Sequence, residues 1–300
     1  MRRRIIKQGK ATLTVSLPAK WTKKLGLGQG DEVDIHEEQN DLLISSGKHE
    51  ELRRETLDLT ELDTLLKRIV AATYLKGADE IEVRVDSVEK ARVIQGRVRE
   101  MIGMEVVQQG RDMLLIKDIA GTTDMAFDPL LRRVFFMINT VAEESTNALR
   151  RKETDLAYLA DMETNINRFT DHCFRLLNKH GYKVFSQTPV IYTIVLLLEQ
   201  LADDYKALTS FVTKNKMTVD DDALETLARV HRQFRAFEAL FYAFSHDKAA
   251  ALAQEHDAIM LAIDKRLSST KSAKDAQVLH MLKSMEHDII RMMGQALTLA

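Results

Sequence analysis

Hydrophobic positions follow a two-residue period near the N-terminus and a helical period over most of the chain that follows. Residues 11–17 (ATLTVSL) alternate between apolar and polar side chains, as a half-buried strand does. Beyond Asp128 and Pro129, apolar side chains recur at intervals that place them on one face of a helix. This helical set is Leu131, Val134, Phe135, Ile138, Val141, Ala142 and Leu149. The change of period predicts a multi-domain α+β protein, with short strands first and long helices last.

Residues 3–44 predict a small β-rich domain with one short helix. Glycine and proline separate its segments, and threonine and valine, which favour strands, are frequent in residues 11–17. The predicted elements are an extended segment over 4–7, a turn at Gly9, a strand over 11–17, a helical turn over 19–25 between Pro18 and Gly26, and a hairpin of 31–36 and 41–45 that turns at Gln39–Asn40. We call residues 1–47 the head, and residues 46–50 (SGKHE) form a predicted linker.

The head has too few apolar side chains to form a stable core alone, because a domain this short buries little of its surface on folding. Pairing with a second copy would bury them, so the sequence predicts at least a homodimer. The apolar set of the head is Leu13, Val15, Leu17, Leu25, Val33, Ile35, Leu42 and Leu43.

Residues 51–120 predict a small α/β module. Strand-like and helix-like segments alternate, and Ser87 is a favoured N-cap for the second helix. The predicted strands are 52–58, 80–85, 104–108 and 113–117, and the predicted helices are 60–76 and 87–102.

Residues 126–300 predict an almost wholly helical part. Asp128 as the N-cap, with Pro129 at the first helical position, is a strong start signal. The predicted helices are 129–151, 155–180, 189–214, 221–244, 247–267 and 273–299. Three long helices followed by three more favour two successive three-helix bundles.

Basic side chains are concentrated at the start of a chain whose formal net charge is only −2. Residues 1–30 carry eight of them and no acidic side chain. A positive segment of this kind is typical of a surface that binds a polyanion, and the alternative is a solvated basic face without a ligand. The residues predicted to contact such a polyanion are Arg2, Arg3, Arg4, Lys7, Lys10, Lys20, Lys23 and Lys24.

The same sequence disfavours export, membrane insertion and catalysis. One cysteine, Cys173, fits a reducing compartment, and neither an apolar run of about 18 residues nor a signal core is present. We therefore expect a cytoplasmic protein. No phosphate-binding glycine loop or His-Glu-x-x-His motif occurs, and His172 is no partner for Cys173, since helical neighbours point about 100° apart. A non-enzymatic protein is predicted.

The motifs GKATLTVSLPAKW (9–21), LGLGQGDEV (25–33) and DLLIS (41–45) resemble the AbrB/SpoVT swapped-hairpin domain. In that family, two chains interleave their hairpins into one barrel and bind DNA through basic residues on one face. The resemblance implies a swapped-hairpin β-barrel here, with DNA contacts from Arg3 or Arg4, Lys10, Lys23 and Lys24.

The rest of the chain is similar to archaeal-type PhoU proteins, regulators of phosphate uptake that often carry an AbrB-like head. The similar segments are YLKGADEIEV (74–83), MIGMEVVQQ (101–109), METNINRF (162–169) and LEQLADD (198–204). The resemblance implies a PhoU-like pair of three-helix bundles. It also implies a role in regulating phosphate transport, with a phosphate-transporter ATPase or a sensor kinase as a further partner.

PhoU bundles typically hold metal clusters on pairs of acids four residues apart, which lie about one turn apart on one helix face. Glu199 and Asp203 keep this pattern, whereas Glu163 is followed by Asn167, whose carbonyl oxygen carries no charge. The resemblance implies one divalent or trivalent ion, such as iron, zinc, manganese or magnesium, at these four residues. The alternative is solvated acids paired with a base such as Arg168. Further possible ligands are His256, Asp257, Glu286, His287 and Asp288.

Two other functions remain open from the sequence. In one, the protein is an adaptor that acts on a phosphate transporter or its kinase, and the basic head serves only dimerisation. In the other, it is a metal-storage protein or a metal-dependent enzyme, which would need more carboxylates than these pairs supply.

Overall fold

The structure, a computed structural model, describes residues 1–38, 41–46, 52–120, 127–153 and 156–300. The chain divides into two compact units, Met1–Leu52 and Arg53–Ala300. The predicted hairpin turn at Gln39–Asn40 and most of the predicted linker 46–50 lie outside the described residues. The chain is a mixed α+β protein with a small strand-containing N-terminal region and a helical C-terminal part, as its periodicity predicts.

The described residues of the first unit form two antiparallel hairpins and one short helix. Strands β1 (Ile6–Gln8) and β2 (Thr12–Thr14) pair so that Lys7 lies opposite Leu13. Gly9 turns the chain between them with φ +73°, a conformation that side chains with a Cβ rarely adopt. The remaining elements are α1 (Ala19–Lys24), β3 (Asp34–Glu38) and β4 (Asp41–Ser45), of which β3 and β4 form the second hairpin.

The second unit begins with a four-stranded sheet covered by two helices. Its elements are β5 (Arg54–Asp58), α2 (Leu66–Leu75), β6 (Glu80–Arg84), α3 (Val88–Val98), β7 (Met104–Gln109) and β8 (Met113–Asp118). The strand order is β5-β6-β8-β7, in which β5 and β6 are parallel and the other pairs are antiparallel. The parallel pair requires a crossover, which α2 supplies.

Helix α2 begins at Leu66, so the predicted start at residue 60 is wrong. The Asp58 carboxylate accepts hydrogen bonds from the backbone NH and the hydroxyl of Thr60. This local turn gives the backbone an alternative to a helix. The predicted cap at Ser87 is confirmed, because its hydroxyl accepts from the Lys90 NH at 3.3 Å. The helix behind it ends at Val98, four residues before the predicted end.

Six long helices complete the part of the second unit that the structure describes. They are α4 (Phe127–Arg151), α5 (Ala157–His180), α6 (Thr188–Asn215), α7 (Asp221–Tyr242), α8 (His246–Ser269) and α9 (Ala273–Ala296). Asp128 lies inside the first turn of α4 rather than at the predicted N-cap position, where an acid still favours the helix dipole.

The six helices pack in two groups of three that share one core. Helices α4, α5 and α6 contact one another, as do α7, α8 and α9, and the pairs α6–α9 and α4–α7 join the two groups. Buried side chains from all six helices form a single continuous cluster, with Phe135 of α4 stacked on Phe234 of α7. The apolar face predicted for α4 lies in this core.

A buried arginine connects the sheet module to α5. Arg175 is 2 % exposed, and its Nη1 donates to the carbonyl oxygens of Tyr74 at 2.9 Å and Ala78 at 2.7 Å. Its Nη2 donates to Asp79 at 3.2 Å and Asp118 at 3.0 Å. One guanidinium thus satisfies four acceptors and fixes the docking of the module on the helix.

Helix α6, with the 3₁₀ turn before it, is the one segment in the described ranges that could cross a membrane by length and composition, over Phe185–Asn215. Its apolar face packs in the helical core, where Ile194, Val195 and Leu198 are fully buried. A core helix meets the same length and composition criteria, so this feature is weak evidence for a membrane segment.

Candidate functional sites

The eight basic residues of the head are all exposed. Lys20, Lys23 and Lys24 lie on α1 at a spacing that places them on one side of the helix. Lys7 lies on β1, and Lys10 lies in the turn between β1 and β2. Residues 1–30 thus expose positively charged side chains on the N-terminal segment, on one hairpin and on one helix.

The apolar side chains of the head are exposed as well. Leu13 is 66 % exposed, Leu42 is 63 % and Ile35 is 57 %, and Val15 and Leu43 are exposed to a smaller degree. Leu17, Leu25 and Val33 are half-buried, and no apolar residue in the described part of the head is buried. This much open apolar surface on a small unit is typical of a surface that another chain covers.

We expect the chain to be a dimer at micromolar concentration and the Leu13→Asp/Leu42→Asp double variant to be a monomer. Two carboxylates placed in the apolar surface of the head would have to be desolvated in a dimer, which is strongly unfavourable. Multi-angle light scattering measures the mass directly. Leu261→Asp is the control, because Leu261 is 72 % exposed on α8. A wild-type monomer would contradict both the dimer and the swapped-hairpin assignment.

In the helical part, the structure brings the four predicted metal-site residues together between α5 and α6. Glu163 is 1 % exposed and shares a hydrogen bond with the Asp203 carboxyl group. Asn167 Nδ2 donates to Glu163 Oε1 at 2.6 Å. Glu199 lies one turn before Asp203 on α6, so three carboxyl groups and one amide occupy the same level of the helices, as predicted.

Three residues near this site, Lys206, Asp171 and Arg97, are not among those predicted from the sequence. Lys206 Nζ donates to Glu163 Oε2 at 2.7 Å and takes the place of the predicted base, Arg168. Asp171 raises the pKa of Glu199, and Arg97 from α3 donates to Asp171. The four-residue spacing of positions 163, 167 and 171 was a usable signal for Asp171, whereas Arg97 comes from a different part of the fold.

Burial separates the pKa values of these acids. Burial, assisted by Asp171 and Asp203, raises the pKa of Glu199 to about 7. Burial and the hydrogen bond with Glu163 raise the pKa of Asp203 to about 6. For Glu163, burial acts in the same direction, but the hydrogen bonds from Lys206 and Asp203 outweigh it and lower the pKa. At neutral pH, Glu163 and most of Asp203 are therefore ionised, and Glu199 is close to half-protonated.

This arrangement does not fit a metal centre as it stands. Both carboxylate oxygens of Glu163 already accept hydrogen bonds, one from Lys206 and one from the side-chain NH₂ of Asn167. Asn167 therefore directs its NH₂ group, and not its carbonyl oxygen, at the acid. Across the described residues, no group of three or more His, Cys, Asp or Glu side chains is arranged to hold a metal ion. A metal ion at Glu199 and Asp203 stays a prediction. Elemental analysis of the protein and of a Glu199→Gln/Asp203→Asn variant tests it, and equal metal content in both would contradict it.

Three of the further possible ligands in the second helix group, His256, Glu286 and Asp288, are engaged in hydrogen bonds. Glu286 is fully buried, and its Oε1 accepts from Gln233 at 3.2 Å and lies 3.1 Å from Nδ1 of His256. Asp288 is paired with Arg291 at 2.9 Å.

Cys173 is fully buried in the helical core, which agrees with a packing role.

We expect the Glu199→Gln variant to lose part of the pH dependence of folding stability. The folded pKa of Glu199 lies near 7, above its usual 4.5, so folding binds a proton between these values. The contribution of Glu199 to folding stability is fully present below about pH 4.5 and is lost as the pH rises through about 7. The loss in the free energy of unfolding over this range is on the order of 3 kcal/mol. Urea unfolding at several pH values measures it, with Glu105→Gln as an exposed control. Equal pH profiles for wild type and Glu199→Gln would contradict it.

Comparison with known proteins gives a match that covers most of the head and the linker after it. Residues 6–52 match the family model described as Antidote-toxin recognition MazE, bacterial antitoxin. No curated protein and no solved structure matches the chain. The head is a MazE/AbrB-like domain, a type that typically binds DNA and dimerises, which supports the predicted swapped-hairpin domain. The class defined by this domain is that of DNA-binding or antitoxin-type regulators.

Proposed function

We propose that this protein is a cytoplasmic, non-enzymatic DNA-binding regulator of phosphate uptake. The observation that supports DNA binding most strongly is the concentration of eight exposed basic side chains, without an acid in residues 1–30, in a MazE/AbrB-like domain. Such a surface binds the phosphate backbone electrostatically and gains from the release of counterions. Two heads in one dimer would present two such surfaces to a duplex.

The phosphate-uptake part of the proposal rests on the sequence resemblance of the second unit to PhoU proteins. In this role the helical part senses or relays phosphate status, and the head carries the response to DNA. A transporter ATPase or a sensor kinase is the partner from which the helical part would receive that status.

Chromatin immunoprecipitation of the tagged, full-length chain tests the function in cells. We expect enrichment upstream of phosphate-transport genes and loss of the enrichment when Lys10, Lys23 and Lys24 are replaced by alanine. Enrichment elsewhere in the genome would keep the DNA-binding role and reject phosphate uptake as the process. Absence of enrichment, together with co-purification of a phosphate transporter or its kinase, would favour the adaptor function.

An antitoxin-type role for the head is a second candidate, and the description of the matching family model favours it. In that case a toxin protein, rather than a transporter component, would bind the chain. Co-purification of a small protein whose expression without this chain arrests growth would support this role over the first.

A further inference from the structure

A groove lined mainly by polar and charged side chains lies between α4 and α7. Its volume is about 250 Å³, which suits a ligand smaller than a typical drug-sized molecule. The two helices are antiparallel here, since Asn139 bonds Glu238 and Glu143 pairs with Arg235 further along. The residues that line the groove are Glu143, Thr146, Asn147 and Arg150 of α4 and Glu225, Ala228, His231, Arg232 and Arg235 of α7.

Three arginines from two helices face this one groove. Arg235 lies 3.5 Å from Glu143, and Arg232 lies 2.7 Å from Glu225. Arg150 makes no salt bridge within the described residues. It still lies close enough to Glu225 for its charge to act there: the hydrogen bond from Arg232, and then the charges of Arg232 and Arg150, lower the pKa of Glu225. Three positive and two negative side chains leave one excess positive charge in the groove.

The arginines retain donors for a ligand. A guanidinium has five NH donors, and a carboxylate partner occupies at most two of them. The two glutamates therefore hold Arg232 and Arg235 in place without using up their hydrogen-bonding capacity. Ala228, with its short side chain, leaves room between the longer side chains of the groove.

A nitrogen of His231, one of the residues that line the groove, also lacks a partner. Nε2 of His231 is buried and makes no hydrogen bond to any described residue. Burial, and then the charge of Arg235, lowers the pKa of this histidine, so the ring is neutral at pH 7. A neutral imidazole that carries its proton on Nε2 donates one hydrogen bond. A buried polar atom of this kind costs free energy unless a ligand or water binds it.

We propose that the groove between α4 and α7 binds a tetrahedral oxyanion, namely a phosphate group, free or carried by a small molecule. Three guanidinium groups from two helices match the several oxygens of a tetrahedral dianion, whereas a carboxylate offers only two. The remaining donor is Nε2 of His231. This inference deepens the proposed function, on which its biological meaning rests, by naming the class of effector. The binding itself needs no DNA.

Isothermal titration of the full-length protein with inorganic phosphate, at pH 7.5 and constant ionic strength set with sodium chloride, tests the site. A parallel titration with glycerol phosphate shows whether the site prefers the free phosphate ion or a phosphate ester. We expect saturable binding of at least one of the two. We also expect the Arg150→Gln variant to weaken that binding by about tenfold or more, because it removes a charged hydrogen-bond donor. His231→Phe should weaken it by a smaller factor.

Arg92→Gln is the matched control, since Arg92 is exposed on α3 and has the same charge. Circular dichroism checks that each variant is folded. The proposal is overturned if neither compound gives saturable heat, or if Arg150→Gln binds as well as Arg92→Gln does. If the protein binds phosphate but not DNA, the proposed DNA-binding function is wrong and the phosphate site stands. If it binds DNA but not phosphate, only the phosphate site is wrong.

Discussion

Replacing Arg175 by methionine should lower the free energy of unfolding by about 3–5 kcal/mol, the range seen when one partner of a buried ion pair is removed. The guanidinium is buried and serves two carbonyl oxygens and two carboxylates. Methionine fills much of the volume but donates nothing. Asp118 would lose this partner in a half-buried position, and its Oδ1 already lacks a hydrogen bond to any described residue. Asp79 would retain Lys179 at 2.6 Å.

Urea unfolding followed by circular dichroism measures this loss, with Arg54→Met as the control. Arg54 also pairs with an acid, Glu80 at 3.1 Å, but its side chain is 71 % exposed. Exposed pairs contribute about 1 kcal/mol or less, so the control should change stability little. If Arg175→Met does not fold, Arg175→Lys keeps the charge and should show an intermediate loss. Equal, small effects of Arg175→Met and Arg54→Met would contradict the docking role of Arg175.

Replacing Lys10, Lys23 and Lys24 together by alanine should weaken duplex binding on the order of 100-fold at low salt, because a dimer loses six positive charges near DNA phosphates. All three side chains are exposed, so their removal leaves the folded head intact. The loss should be similar for unrelated duplexes, since phosphate contacts carry no sequence information. Fluorescence anisotropy with labelled duplexes gives the dissociation constants.

The matched control for this variant replaces three exposed lysines outside the head, Lys67, Lys265 and Lys271, by alanine. It removes the same charge from the chain, so it separates a local contact from the effect of net charge. If both triple variants bind DNA equally well, the basic residues of the head do not form the interface, and Lys23 and Lys24 only complement the C-terminal dipole of α1.

Local signals in the sequence predict the order of elements well. The hydroxyl of Ser87 caps α3 because capping needs only residues within one turn. The helical period predicts the core face of α4, since one apolar stripe is enough to define it. The start of α2 is missed because the Asp58 carboxylate binds Thr60 and forms a turn where propensity favours a helix.

The candidate sites depend more on packing than on local signals. The spacing of Glu199 and Asp203 predicts a shared face, but the lysine that neutralises Glu163 is visible only once α5 and α6 are packed. Arginine is usually an exposed residue, so nothing local indicates that Arg175 is buried. The groove beside Arg150 arises from the antiparallel packing of two helices that are distant in the sequence.

The salt dependence of duplex binding by the full-length protein tests the central claim, that the head binds DNA through its basic side chains, most directly. Each neutralised phosphate contributes about −0.9 to the slope of log K against log salt concentration. With at least five of the basic side chains of a dimer in contact, we predict a straight line with a slope of about −4.5 or steeper between roughly 50 and 300 mM salt. A flat line, or no binding to any duplex at the lowest salt, would contradict the claim.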